Sequence, residues 1–405
     1  MVLKAFNLKK MNPHSLDEWC LWTFTNRPML ASKISDHLCN NFVNEALVIK
    51  KAHDEDETNS FVDSSKFFIP KCLQYLGGVY NLKMRFKVVS LKDSLLELDT
   101  NEMDEWFENG THDLPTVIGD EVDHIDCVGS TFALNPFNKK NDVYFVTARH
   151  NVAPQYNKAT KKVHILESLT ISQDRVYEET IFTRGYVPCS LVIENHKRKP
   201  LLPHIPDITF IKYSFHHLDS DTIPLGFFQD QYFVPRNFLS CEPPINRTTD
   251  EYNCALLSCH GIVREKDFEK LGAVNDLDKE MLRKMMVEGR VCQSMGQTLG
   301  THVEGNIPYI AHNSASTPGC SGGLLTTFEN TKTKEKYENL RFFDGVHKGA
   351  LNSKEEYNLA TPFHLVSDLY MEYVYPNIKN TLSRKERRHI ESQIIGIADG
   401  CCTLL

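Results

Sequence analysis

Thr317-Pro-Gly-Cys-Ser-Gly-Gly-Leu-Leu325 sets one small nucleophile, Ser321, among glycines and leads straight into an apolar run. Glycine has no Cβ, so the chain can turn tightly there and aim several backbone N–H groups at one point. Such a point can hold the negative charge that develops during acyl transfer. The N–H groups of Gly319 and Ser321 are the candidates for that cradle. A glycine-rich hairpin turn would read the same way in isolation. The stretch therefore decides the fold only if it has chemical partners elsewhere in the chain.

A serine hydroxyl is a poor nucleophile until a base takes its proton, and that base needs a carboxylate to fix its tautomer. Upstream, Pro206-Asp-Ile-Thr-Phe-Ile-Lys212 opens an alternating strand with Asp207. Strands often begin with Asp as a turn residue, so this signal alone is weak. Farther upstream, Tyr144-Phe-Val-Thr-Ala-Arg-His-Asn-Val152 runs an apolar strand into His150, at the rim of a barrel. A lone histidine there is more often a surface or core residue than a base. Together the three stretches supply base, acid and nucleophile in the order His150, Asp207, Ser321, separated by 57 and 114 residues. That order differs from those of subtilisins and α/β-hydrolases.

The same stretches resemble the chymotrypsin-like serine proteases. Thr147-Ala-Arg-His150 is similar to the family's T-A-A-H, and Asp207-Ile-Thr-Phe210 to its D-I-A-L. Gly319-Cys-Ser-Gly-Gly323 is similar to G-D-S-G-G, and Val128-Gly-Ser-Thr-Phe132 resembles the strand that precedes the histidine. Phe343-Asp-Gly-Val-His-Lys-Gly349 resembles the strand lining the primary specificity pocket. The likeness runs from roughly residue 120 to 375. It implies a serine endopeptidase acting on protein or peptide substrates. His150 would then be general base, Asp207 its orienting acid and Ser321 the nucleophile. No metal or organic cofactor is called for.

The pattern between those limits agrees. Short strands such as Val143-Tyr-Phe-Val-Thr-Ala148, Val163-His-Ile-Leu166 and Ile208-Thr-Phe-Ile211 alternate with turn-rich punctuation. That argues for a barrel or sandwich, with one helical interruption near Asp276 to Glu288. We expect a mainly β protein, a chymotrypsin-like double β-barrel with an additional N-terminal α+β region and a helical C-terminal tail. The expected domains are 1–115, an accessory region; 116–378, the protease domain; and 379–405, the tail. A rival reading keeps the barrels but makes them a catalytically silent module that binds peptides or partners.

The pocket can be read one step further. Cys320 stands where pancreatic-type relatives carry the aspartate that receives a freed N-terminus, so activation by that cleavage is not expected. Ala315 occupies the position of a trypsin-like carboxylate. His347 in Gly-Val-His-Lys-Gly is placed as in glutamyl endopeptidases and picornaviral cysteine proteases, where a histidine meets a substrate Glu or Gln. In those enzymes a hydroxyl shortly before the nucleophile assists, and Ser316 or Thr317 could supply it. The resemblance implies cleavage after Glu or Gln.

Composition sets the outer bounds. The 405 residues are 41% hydrophobic and 24% charged, with a net charge of -8, which disfavours non-specific nucleic-acid binding. No stretch approaches the roughly 18 apolar residues of a membrane span, and the N-terminus lacks the apolar centre of a secretory signal. The expected location is cytoplasmic, so the 12 cysteines read as thiols. Cys254, Cys259 and His260 form a loose cluster without the second ligand pair that a zinc site needs. At the far end, Cys402-Thr-Leu-Leu405 fits a prenylation box, Cys401 could take a palmitoyl chain, and Arg384, Lys385, Arg387 and Arg388 add a basic cluster. These features suggest a tether to the cytoplasmic face of a membrane. A docked helix with a chance cysteine ending is the alternative.

Overall fold

The computed structural model describes residues 78–94, 96, 98–109, 123–134, 142–173, 185–214, 252–261, 268, 275–285, 288–314, 316–330, 344–350, 357–388 and 390–391. Its strands are β1 (Val79–Ser90), β2 (His124–Ala133), β3 (Asp142–Thr147), β4 (Gln155–Asn157), β5 (Lys162–Ser172), β6 (Val187–Leu191) and β7 (Thr209–Ser214). They are followed by β8 (Tyr252–Cys259), β9 (Val291–Glu304), β10 (Ile307–His312), β11 (Leu324–Asn330), β12 (Gly345–Ala350) and β13 (Asn358–Pro362). The first sheet runs β1-β2-β3-β7-β6-β5, closes through β1 and β5, and carries β4 on its rim. The second is a closed barrel in the order β10-β13-β12-β11-β8-β9. Closure leaves no long unpaired edge in either sheet.

Alternation explains which faces turn inward. In β1, Leu82, Met84 and Phe86 are buried, and they pack with Phe145, Leu169 and Ile171 inside the first barrel. Between them Lys83 and Arg85 face outward, where they meet Asp126 and Glu167 on the neighbouring strands. The second barrel is filled by Tyr252, Cys254, Leu256, Ile310, Leu325 and Ala360. A third apolar cluster joins the two barrels, with Val79, Phe132, Val146 and Phe210 on one side and Ala255, Leu257, Leu324 and Val346 on the other.

This architecture moves one boundary. Strand β1 falls within the stretch assigned from sequence to the 1–115 accessory region. It pairs with β2 along Val79 to Lys87 and with β5 along Asn81 to Ser90, so it is part of the first barrel wall. Helix α1 (Thr100–Asn109) also belongs there, because its Trp106 is buried against Val163 and Leu202. The barrel domain begins no later than Val79, not at 116.

Helix α2 (Asp276–Met285) is the expected interruption between β8 and β9. After β13 a helical run, Phe363 to Ile378, lays Phe363, Val366, Tyr370 and Val374 into the cluster between the barrels. The tail then starts a helix at Ser383. Its hydroxyl accepts from the Glu386 N–H, and the Glu386 carboxylate accepts from the Ser383 N–H, a reciprocal cap. Ile390 is fully buried in the same cluster, so this part of the tail docks on the barrels. Cys401 and Cys402 lie outside the described residues.

Candidate active site

The strand ends at the junction of the barrels bring the three stretches together. His150 sits in a short 3-10 turn, Arg149–Asn151, that follows directly on β3. Asp207 lies two residues before β7, the strand that pairs with β3, so both fall at the same end of one strand pair. The His150 N–H donates to Asp207 Oδ1 at 2.8 Å, and its ring Nδ1 lies 2.7 Å from Asp207 Oδ2. Asp207 is fully buried while the His150 side chain stays 15% exposed. Burial alone would raise the Asp207 pKa. The His150 ring and then Lys348 more than offset it and hold the carboxyl well below the usual carboxylate range. An imidazole so held keeps its proton on Nδ1, which leaves Nε2 as the basic nitrogen of the ring.

Ser321 arrives from the second barrel, but the first barrel holds it. Its carbonyl accepts from the Ser130 N–H at 2.8 Å and from Asn151 Nδ2 at 2.9 Å. Asn151 directly follows His150, so the Ser321 peptide is pinned beside the histidine's turn. The Ser321 hydroxyl rests 3.2 Å from the Lys348 carbonyl. Gly322 makes the approach feasible. It has φ +87°, and a Cβ there would stand 2.1 Å from the Ser130 carbonyl and 2.2 Å from Thr147 Oγ1. Gly319 has φ +95° and would meet the Gly261 amide at 2.2 Å.

The cradle expected from the glycines has a distinct hydrogen-bond pattern. The Cys320 N–H donates to the Thr317 carbonyl, and the Gly322 N–H to the His347 carbonyl. Among the described residues the Gly319 and Ser321 N–H groups, which flank Cys320, have no such acceptor. Two amides left unpaired beside the hydroxyl can take an oxyanion.

The structure separates the two pocket hydroxyls. Ser316 Oγ lies on the Asn358 side chain at 3.0 Å. Thr317 Oγ1 is instead 2.9 Å from His260 Nδ1 and contacts the buried Cys320 thiol, so that hydroxyl is committed within the loop. His260 thus serves the loop, and Cys254 lies against Ser314 in the barrel core.

His347 is buried, and its Nδ1 lies 3.2 Å from His312 Nε2 on β10. Burial lowers the pKa of both rings, that of His347 to about 4, so both are neutral near pH 7. His312 Nδ1 has no partner among the described residues. An orphaned N–H is costlier than an orphaned lone pair, which places the His312 proton on Nε2, pointing at His347. His347 then accepts at Nδ1 and carries its own proton on Nε2. It is a neutral donor.

Sequence reading missed His312, Ser130, Asn151, Tyr309 and Lys348 as site residues. Ser130, Asn151 and Lys348 lie inside the motifs, but their contacts reach residues far away in the chain. His312 carries no local signal.

Two antiparallel barrels, with histidine and aspartate on the first and serine on the second, settle the architecture. The fold is the chymotrypsin-like double β-barrel. No protein-family model matches the chain, and no curated protein matches it. Among solved structures it is similar to the Rv3671c protease from M. tuberculosis in its active form, at 10% identity and TM-score 0.35, over 75% of this chain and 84% of that one. The inactive form of the same protease matches at 11% identity and TM-score 0.33, over 75% and 93%. The serine endoprotease from Yersinia pestis matches at 14% identity and TM-score 0.31, over 75% and 65%.

Proposed function

We propose that this chain is a serine endopeptidase. His150 takes the proton of the Ser321 hydroxyl as Oγ attacks the scissile carbonyl, and later returns it to the leaving amine. Asp207 holds the ring and stabilises its positive charge. The Gly319 and Ser321 amides bind the oxyanion. The observation that carries the reading is the double hydrogen bond from His150 to a fully buried Asp207, with Ser321 anchored on the next residue, Asn151.

The preferred substrate residue on the acyl side is Glu or Gln. A neutral His347 that donates from Nε2 rewards a side chain ending in a carbonyl oxygen, and Ser316, whose proton goes to Asn358 Oδ1, can accept from the amide of a Gln. The measurement is a mass-spectrometric cleavage profile on a peptide library, wild type against Ser321→Ala. We expect cuts after Glu or Gln that vanish in the variant. Cuts mainly after Lys, Arg or Phe would refute the specificity, and equal cutting by Ser321→Ala would refute the mechanism.

A further inference from the structure

Asp207 belongs to the first barrel, yet part of its environment comes from the second. Lys348, on β12, points its ammonium over the Tyr309 ring, 4.4 Å from the centroid, and pairs with Glu304 at the end of β9. Tyr309 is buried on β10, with its hydroxyl turned toward the Asp207 backbone. Thr361, on β13, reaches the Asp207 carbonyl at 3.5 Å. The turn after Glu304 closes on the segment leading to Asp207, where a Cβ on Gly305 would stand 2.5 Å from the Pro203 carbonyl.

Lys348 is also the residue whose carbonyl meets the Ser321 hydroxyl, and it sits where the β12–β13 register shifts between His347 and Gly349. That irregularity lets one residue serve two directions. Its backbone faces the Ser321 hydroxyl, and its side chain runs to Tyr309 and Glu304.

We propose that Lys348, held by Glu304 over Tyr309, is a positioning residue that sets the charge felt by the Asp207–His150 pair. The inference rests on the serine-peptidase reading of that pair. Other charged or titratable groups face the pair too. Arg149 comes from the histidine's own turn, Tyr309 from β10 and His347 from β12, where Cys320 lies against His347. Arg149 is buried and bonded to the Lys199 carbonyl, and His347 is neutral near pH 7, so Lys348 and Glu304 are the matched charges that a substitution can unbalance.

Unbalancing them gives opposite signs, which loss of packing would not. Lys348→Met leaves the Glu304 carboxylate unmatched, and the imidazole should take up its proton at higher pH. Glu304→Gln leaves the ammonium unmatched, and protonation should need lower pH. Each shift should be at least roughly half a pH unit, since a unit charge acting through an effective dielectric near 20 produces that much even from about 24 Å away.

The experiment follows the His150 ring by NMR in histidine-labelled protein, with the signal assigned by its loss in His150→Gln. We expect Lys348→Met to move its midpoint up, Glu304→Gln to move it down and Lys348→Arg to restore the wild-type value. Identical midpoints in all variants, or shifts of the same sign, would overturn the proposal. If Lys348→Met does not fold, the sign in Glu304→Gln decides alone. The titration needs no turnover, so it judges Lys348 even if Ser321 proves unreactive and the serine-peptidase reading fails.

Discussion

Asp207 carries the tightest demands of any residue in the site. It is fully buried, and its two oxygens accept from the backbone and ring of the same histidine. An asparagine fits the same space but cannot hold the imidazole in the required tautomer or balance its charge. Asp207→Asn should therefore fold with nearly the wild-type thermal midpoint and lose roughly 10⁴-fold in peptide hydrolysis. Gly322 is constrained by shape instead. With φ +87° and barrel atoms 2.1 Å and 2.2 Å from where a Cβ would go, Gly322→Ala should cost more than about 2 kcal/mol in chemical denaturation. The buried histidines set a pH dependence. His347 titrates at about 4 in the folded chain and near ~6.5 when unfolded, so between those values the unfolded chain binds more protons. Its contribution is complete above pH ~6.5 and is lost as the pH falls through about 4. The thermal midpoint should drop on acidification across that window, and less steeply in a His312→Gln, His347→Gln double variant.

At the level of elements, legibility followed distance along the chain. Val143 to Ala148 and Ile208 to Ile211 read as strands because their apolar residues lie within a few positions of one another, and they fall on β3 and β7 to within a residue or so at the start. Strand β1 also shows its alternation, with Leu82, Met84 and Phe86 inside and Lys83 and Arg85 outside. Its membership in the barrel depends on pairing with Ser172 and Phe132, which no local pattern reveals. The stretch from Asp99 to Pro115 has the acidic, turn-rich composition of a linker, yet Trp106 within it anchors α1. The His312–His347 pair needs β10, β13 and β12 to be neighbours before it exists. By contrast, Ser383-Arg-Lys-Glu386 is a capping pattern that can be read locally, because its partners are three residues apart. Ser383→Ala should cost about 1 kcal/mol in chemical denaturation. Ile390→Ala should cost ~2–4 kcal/mol, because Ile390 is fully buried among Tyr375, Ile378 and Leu382.

For the whole molecule, the site exists only where two closed barrels meet, and β1 is needed to close the first. A fragment starting at residue 116 should fail to fold by circular dichroism and thermal melting. One that begins ahead of Val79 should keep a cooperative transition, since the β1 pairings with β2 and β5 remain. The apolar seam joins the barrel that carries His150 and Asp207 to the one that carries Ser321, so the proposed chemistry and the stability depend on the same packing. The most direct test is covalent labelling of the purified full chain with a fluorophosphonate, wild type against Ser321→Ala and His150→Ala. We expect wild type to be labelled at Ser321 and both variants to stay unlabelled while folded. A folded wild type that takes up no probe, or a Ser321→Ala protein labelled as well as wild type, would contradict the assignment of Ser321 as an activated nucleophile.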